Sequence, residues 1–333
     1  MSETIYFIGI DIGGTKCTVS ISTLKLKIIH RIQFATHTEK GPEYAIKEIL
    51  NSIDEIKTKI DFDRVKIIGI SCGGPLNSKS GIVLSPPNLP GWDNIQIVKI
   101  IQDHTKKPTY IQNDANACAL AEWRYGAGVG TKNMIFLTFG TGLGAGLILN
   151  GKLYTGSNDN AGEVGHIRLD KDGPVGFNKS GSFEGFCSGS GIARLAQIKA
   201  EEKLSNGEEV SYCDSFDELQ SINTLQLSKL ANQGDKDALE VFNASAKRLG
   251  QGLSILIDVL NPERIVIGSV YARNPHLFDA LSNEVIVKES IPASRSVCSI
   301  VPAQLGDSVG DIASLSVAID EYLNQLDAKQ SNE

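Results

Sequence analysis

The chain has 333 residues, about twice the usual domain size of ~100–200 residues, which predicts two domains and excludes a single small module. Apolar residues at 41% and charged residues at 21% are ordinary values for a globular protein and exclude a disordered chain. The 32 basic and 39 acidic residues give a net charge of −7, which argues against nucleic acid as a partner.

Strand patterns dominate the beginning of the chain. Apolar, β-rich runs predict strands at residues 5–11, 17–22, 27–34 and 65–71, and apolar residues at helical spacing predict a helix over about 42–60. The first strand stops at Gly13-Gly14, which is typical of a buried strand that enters a tight turn. Three adjacent strands, a helix and a further strand favour a mixed α/β layer.

A similar pattern restarts further along the chain. The predicted elements are a helix near 95–102, a strand at 109–112, a helix at 115–123, strands at 134–139, 146–150 and 152–154, a helix from Asp235 to just before Pro262, a strand at 264–268 and a closing helix at 312–323. Asn150-Gly151 is a strong hairpin signal, and the polar stretch 201–217 predicts a surface excursion. Strand, glycine turn and hairpin occur in both halves, which predicts two related domains that meet at a cleft.

Two local patterns suggest chemistry that their surroundings do not support. Residues 140–145 satisfy the relaxed dinucleotide pattern G-x-G-x-x-G/A, but that site needs a helix after the turn, and residues 147–154 predict a hairpin. We therefore reject a dehydrogenase. Residues 69–73 match the nucleophile elbow G-x-S-x-G, yet Gly74-Pro75 follows where a helix should start.

Two strand-to-turn segments carry matching chemistry. They are Asp11-Ile12-Gly13-Gly14-Thr15-Lys16 and Thr138-Phe139-Gly140-Thr141-Gly142. Each offers glycine amides and hydroxyls to an anion, and the first adds the Asp11 carboxylate, which suits hydrated Mg²⁺, and Lys16, which suits phosphate. Either segment alone could simply connect strands. The pair, one in each half, favours a nucleotide site.

An ordered set of segments resembles the ROK sugar kinases. The matching segments are residues 11–16, Asn113-Asp114, 140–142, 161–166 and 263–269, and the resemblance runs from Ile8 through residues 305–307 to the closing helix. It implies an α/β protein with the actin-like, ribonuclease-H-like ATPase fold, in which two α/β domains surround a central cleft. The expected domains are residues 1–113, closed by a C-terminal helix at about 312–325, and residues 114–311.

The resemblance also implies which residues bind the substrates. ATP and Mg²⁺ are the expected cofactors, with Asp11 holding the metal through water and Gly268-Ser269 lining the adenosine side. The expected sugar contacts are Asn88, Asn113, Asp114, Glu163, His166 and Glu184. Read singly, Asn88 and Glu184 could be solvated loop residues, and Glu163 with His166 could be a local structural pair.

Asp114 is the candidate catalytic base. Phosphoryl transfer needs a carboxylate that can accept the proton of the attacking hydroxyl, and the family places its catalytic aspartate at this Asn-Asp pair. Asp114 could instead cap the helix predicted at 115–123, a common role for aspartate. The resemblance favours the base.

One segment departs from the family pattern. The family usually carries a C-x-C-G-x-x-G-C-x-E segment whose cysteines bind a structural zinc together with the preceding histidine, whereas this chain has Val175, Phe177 and Ser182 at the cysteine positions. A single His166 cannot hold tetrahedral Zn²⁺. We therefore expect no structural zinc. The loop is expected to be held by packing of Phe177, Phe183 and Phe186.

The resulting expectation is an ATP-dependent kinase that phosphorylates the 6-hydroxyl of a hexose or an N-acylhexosamine, as a glucokinase does. N-acetylmannosamine kinase, fructokinase and a non-catalytic sugar-responsive regulator remain as alternatives. The family includes repressors with an N-terminal winged helix-turn-helix, but the phosphate loop begins here at Asp11, so we expect the kinase branch. The resemblance further implies a homo-oligomer, a dimer or a tetramer.

Cysteine spacing and hydropathy bear on the compartment. The six cysteines are never closer than 26 residues, which excludes a CxxC metal or redox pair and suits a reducing compartment. Without a basic leader or a run of 18 apolar residues, we expect a cytoplasmic protein with no membrane partner. Glycine is frequent: 17 of 33 glycines lie between residues 126 and 191, and Gly9, Gly13 and Gly14 are expected to mark the other phosphate loop.

Overall fold

The computed structural model describes residues 4–306 and 309–330. Its strands are β1 (Tyr6–Ile12), β2 (Lys16–Thr23), β3 (Ile28–Ala35), β4 (Val65–Cys72), β5 (Leu76–Asn77), β6 (Ile82–Val83), β7 (Thr109–Asn113), β8 (Met134–Leu137), β9 (Ala145–Leu149), β10 (Lys152–Tyr154), β11 (Val175–Gly176), β12 (Lys179–Ser180), β13 (Arg264–Ile267) and β14 (Ser299–Pro302). Its helices are α1 (Pro42–Lys57), α2 (Ile97–Thr105), α3 (Asp114–Tyr125), α4 (Phe183–Phe186), α5 (Gly189–Ser205), α6 (Thr224–Asn232), α7 (Lys236–Leu260), α8 (Ser269–Arg273), α9 (Asp279–Glu289), α10 (Pro292–Ser296) and α11 (Val309–Gln330).

The described residues form two compact units. The first contains residues 4–126, 155–160 and 309–330, and the second contains residues 127–154 and 161–306. The first unit therefore extends beyond Asn113, where the sequence placed its end. The reason is that α3 packs on α11, β4 and β7, which all belong to the first unit.

Each unit is built on a five-stranded mixed sheet, and the two sheets have the same plan. The first has the order β3-β2-β1-β4-β7 and the second has the order β10-β9-β8-β13-β14. In both sheets, neighbouring strands among the first three in this order are antiparallel. The fourth strand is parallel to the third, and the fifth is parallel to the fourth. The repeated pattern predicted from the sequence is confirmed, as is the hairpin at Asn150-Gly151.

The central sheet of the first unit is covered on both faces, because alternate side chains of a strand point to opposite faces. Ile8 and Ile10 of β1 join the core that contains α1, whereas Phe7 joins the core that contains α11. Gly9 lies on the α11 face, where a Cβ would come 2.7 Å from the backbone nitrogen of Leu315. Gly9 therefore serves helix packing, and its expected place in the phosphate loop was wrong.

A long helix organises the core of the second unit. Asp235 caps α7 by accepting a hydrogen bond from the backbone nitrogen of Ala238 at 2.9 Å, and Asn261 in the left-handed region ends the helix before Pro262, as the sequence predicted. The predicted surface excursion at 201–217 was partly wrong, because Val210 in this stretch is 3% exposed and belongs to the core. Within the described ranges, no helix has the length and apolar character needed to cross a membrane.

Candidate active site

The strand order brings the first set of functional side chains to one edge of a sheet. Strands β1, β4 and β7 are parallel neighbours, so their carboxyl ends lie side by side. Asp11 is paired with Ser71, and Cys72 is paired with Asn113, which immediately precedes Asp114. The candidate metal ligand and the candidate base thus leave the same edge of the first sheet.

Asp11 lies in an environment that disfavours its charge. Burial raises the pKa of Asp11 to about 6, and the negative charges of Asp311 and Asp114 add to the rise, although a hydrogen bond from Ser71 and the charge of Lys16 oppose it. A bound cation would relieve this excess of negative charge. Carboxylate oxygens are also the ligands that Mg²⁺ prefers, so the residues fit the ion.

Asp114 is not the cap of the helix that follows it. The side-chain oxygen of Asn113 caps α3 by accepting a hydrogen bond from the backbone nitrogen of Asn116 at 2.7 Å. Asp114 is the first helical residue, and its Oδ1 accepts a hydrogen bond from the backbone nitrogen of Ala115 at 2.8 Å. Its side chain is exposed, yet desolvation by the surrounding protein raises its pKa. The alternative role of Asp114 as a cap was wrong.

The glycine turn between β1 and β2 approaches another candidate residue. The backbone nitrogen of Gly13 donates to the carbonyl of Lys16 at 3.1 Å and closes the turn. Gly14 lies against the backbone carbonyl of Asn88, so a side chain at position 14 would collide with it. Thr15 and Lys16 are exposed at the turn. The structure thus brings Asn88 to the first candidate phosphate turn.

The second candidate phosphate turn belongs to the other unit. The backbone nitrogen of Thr138 donates to the carbonyl of Gly144 at 3.0 Å, and the backbone nitrogen of Gly140 donates to the carbonyl of Gly142 at 3.0 Å. Strands β9 and β10 follow as an antiparallel pair, so no helix follows the turn. The predicted hairpin, on which the rejection of a dinucleotide site rests, is confirmed.

Helix α5 begins at this second turn, a feature that the sequence analysis missed. The backbone nitrogen of Gly189 donates to the carbonyl of Gly140 at 2.7 Å, and Ser190 Oγ donates to the carbonyl of Thr141 at 2.8 Å. Ser188 caps the helix. The positive end of a 17-residue helix favours a nearby anion. The available signal was Ser188 directly before a long helix.

Gly268 and Ser269 also reach the second turn. The backbone nitrogen of Gly268 donates to the carbonyl of Leu137 at 2.9 Å, and a Cβ at Gly140 would lie 3.5 Å from Ser269 Oγ. Ser269 adopts a left-handed backbone with φ of 49°. Such strain in a non-glycine residue is typical of functional sites.

Glu184 is bound to the second turn and is not a freely solvated loop residue. Its Oε2 accepts a hydrogen bond from the backbone nitrogen of Leu143 at 3.0 Å. A Cβ at Gly142 would come 2.8 Å from the same oxygen. The carboxylate therefore has a structural partner in the turn that also carries the candidate phosphate-binding amides.

Glu163 and His166 lie at either end of a short turn in the second unit. The backbone nitrogen of His166 donates to the carbonyl of Glu163 at 3.2 Å, and both side chains are exposed. The ring of Phe177 lies edge-on to the His166 imidazole, with centroids 5.9 Å apart.

The cysteine-free segment is held by packing and by polar contacts. Phe183 and Phe186 are 0% and 5% exposed, as expected for packing residues, but Phe177 is 71% exposed, so its predicted packing role was wrong. Arg248 stacks over the Phe186 ring at 5.0 Å and pairs with Asp170. Across the described part of the chain, no group of three or more His, Cys, Asp or Glu residues could hold a metal ion.

Comparison with known proteins identifies the family. A family model described as the ROK family matches residues 7–321. The chain belongs to the ROK family. Its fold is the mixed α/β, actin-like ATPase fold of ROK sugar kinase structures, so the predicted fold class is confirmed.

The relatives of this ROK protein include enzymes and repressors. It is 32% identical to a glucokinase of Halalkalibacterium halodurans over 79% of each chain. It is 28% identical to a xylose repressor of Caldicellulosiruptor bescii, over 95% of this chain and 79% of the repressor. A ROK family glucokinase from Streptomyces griseus, crystallised with glucose and AMPPNP, is 28% identical with a TM-score of 0.73 and matches over 95% of this chain and 99% of the glucokinase.

Proposed function

We propose that this ROK protein is an ATP-dependent sugar kinase that phosphorylates the 6-hydroxyl of a hexose or an N-acylhexosamine, with glucose as the first candidate. The glucokinase relatives support the reaction class, and the Streptomyces griseus relative in complex with glucose and AMPPNP supports the pair of substrates. N-acetylmannosamine and fructose remain alternative substrates. A regulator without transfer activity remains the other class, because xylose repressors are also relatives.

The observation that carries the proposal is the placement of Asp114. Its neighbour Asn113 caps α3, so the Asp114 carboxylate is not used for that role and stays exposed at the carboxyl edge of the sheet. Desolvation raises the pKa of Asp114 in the direction of neutral pH, which suits a general base. In this proposal, Asp114 accepts the proton of the sugar 6-hydroxyl as the phosphoryl group is transferred.

Other groups of the chain would bind the two substrates, ATP and the sugar. The glycine turns at 13–16 and 138–142 and the first turn of α5 would bind the ATP phosphates, and Gly268-Ser269 would contact the adenosine. Asp11 would hold Mg²⁺ through water, and the bound ion would neutralise phosphate charge. Asn88, Asn113, Glu163, His166 and Glu184 would orient the sugar hydroxyls, with Asn113 donating through its amide because its oxygen caps α3.

A sugar panel tests the proposal. We expect sugar-dependent ADP release when the protein is mixed with ATP, Mg²⁺ and glucose, mannose, fructose or the 2-acetamido hexoses, and ³¹P NMR should locate the new ester at C6. Xylose is the matched control, because it lacks the C6 hydroxymethyl group. Binding of a sugar by calorimetry without any ADP release across the panel would instead favour the regulator.

A further inference from the structure

We propose that Phe177 is a positioning residue that fixes the His166 imidazole for sugar binding. This inference rests on the proposed function, because it assigns His166 to the sugar. The two rings meet edge-on, with centroids 5.9 Å apart and an interplanar angle of 79°. This geometry is favourable for aromatic pairs.

The imidazole of His166 differs from the other histidine rings of the chain. The other four histidines each form a hydrogen bond through a ring nitrogen, namely His30, His37, His104 and His276. Within the described residues, His166 forms no such bond. Both of its ring nitrogens are therefore available to a ligand, and its ring contacts that of Phe177.

Phe177 owes its backbone conformation to a tight turn and not to burial in a core. It is 71% exposed, so it contributes little to a core, and its backbone is left-handed with φ of 44°. Its neighbour Asn178 is also left-handed, with φ of 61°, so the two residues form the tight turn of the β11–β12 hairpin. Asparagine tolerates this conformation well, whereas a bulky phenylalanine is an outlier there. Non-glycine residues with such a backbone cluster at functional sites.

Two side-chain hydrogen bonds fasten the hairpin to the backbone around His166. Lys179 Nζ donates to the backbone carbonyl of His166 at 2.7 Å. The Arg168 guanidinium donates to the carbonyl of Ser180 at 2.7 Å. These bonds hold β12 against the segment that carries the histidine. Phe177 is therefore placed on the imidazole by its backbone and does not depend on burial.

Substitutions at position 177 separate positioning from folding. We expect Phe177→Ala to raise the KM for the sugar about 2- to 10-fold, the value of one aromatic contact, with kcat and the KM for ATP little changed. Phe177→Tyr keeps the ring and should restore the sugar KM. Phe216→Ala is the matched control, because Phe216 is an exposed phenylalanine, 53% exposed, elsewhere in the same unit.

Histidine-selective NMR provides a readout that does not depend on turnover. The ring-proton resonances of His166 should move in Phe177→Ala while those of the other four histidines stay in place. An active wild-type kinase whose sugar KM changes less than twofold in Phe177→Ala, or an unmoved His166 resonance, would overturn the inference and leave the proposed function intact. A wild-type protein inactive on every sugar would overturn the proposed function, and this inference with it.

Discussion

The negative charge of Asp11 destabilises the folded protein when no ligand is bound. Its carboxylate is largely buried near Asp311 and Asp114, and these surroundings raise its pKa to about 6. A carboxyl with a higher pKa in the folded protein binds its proton more tightly there than in the unfolded chain. The free energy of unfolding therefore falls as the pH rises from about 4 to about 6, and stays lower above that range.

Asp11→Asn should stabilise the ligand-free protein at pH 8 by about 1–2 kcal/mol, because the amide removes the unfavourable charge and still accepts from Ser71. Near pH 4, where Asp11 is protonated, the difference should disappear. Urea unfolding with EDTA at both pH values measures this. Asp63→Asn, at an exposed position of the same unit, is the control. A difference that is independent of pH would contradict the explanation.

Single side chains show where sequence reasoning reached its limit. The pair Asn113-Asp114 was recognised, but which of the two caps α3 depends on backbone angles that become visible only in the structure. Phe177 was expected to pack because it is aromatic, yet it occupies a left-handed turn position that exposes it. The roles of these residues follow from conformation, and residue type alone does not determine conformation.

Helix α11 packs unusually close to the sheet of the first unit. Gly9 and Gly69 are paired across β1 and β4, and both face this helix. A Cβ at Gly69 would come 2.5 Å from the backbone nitrogen of Ala318. A side chain there would have to push the helix backbone away, since no flexible group can yield.

Gly69→Ala should therefore lower the free energy of unfolding by about 1–3 kcal/mol or more, as overpacking does. Lys66→Ala is the control, because Lys66 is exposed on the same strand and its loss should cost less than about 0.5 kcal/mol. Denaturant unfolding curves of both variants measure the difference. A free energy of unfolding for Gly69→Ala equal to that of the wild-type protein would contradict the close packing of α11 on Gly69.

Secondary structure was predictable wherever periodicity and capping agreed. The central strands and α7 follow the predicted ranges closely, because alternating or helical apolar spacing and an Asp cap mark them. The start of α5 at the second glycine turn was missed, since which helix end meets which turn is a tertiary property. The burial of Val210 was missed because most residues in the 201–217 stretch are polar, which is typical of an exposed segment.

At the scale of the whole molecule, the repeat of one sheet plan was predictable from the pattern of strands and turns, but the unit boundary was not. The first unit extends through α3, which the sequence placed in the second domain, because α3 packs on α11, β4 and β7. It also includes α11, the closing helix that the resemblance placed with this unit. The expected homo-oligomer and compartment stay predictions. Light scattering of the purified protein would measure the mass of the assembly.

The cysteines provide a test of the whole folded molecule. All six are free, and burial raises the pKa of each thiol, to about 11 for Cys298. Because the thiolate is the reactive form, a disulfide reagent such as DTNB should react slowly with the native protein and reach six thiols only after denaturation. Rapid modification of more than two thiols in the native protein would contradict the burial of Cys17, Cys72, Cys187 and Cys213, which are at most 2% exposed.

The most direct test of the account is the turnover of Asp114→Asn. Asparagine can still accept the hydrogen bond from Ala115, so the start of α3 should be preserved while the base is lost. With the sugar that the wild-type protein phosphorylates, we expect kcat to fall about 10²- to 10⁴-fold and the sugar KM to change only a few-fold. Asp103→Asn, on the exposed face of α2, should leave both constants unchanged. A kcat for Asp114→Asn within tenfold of the wild-type value would contradict the assignment of Asp114 as the base.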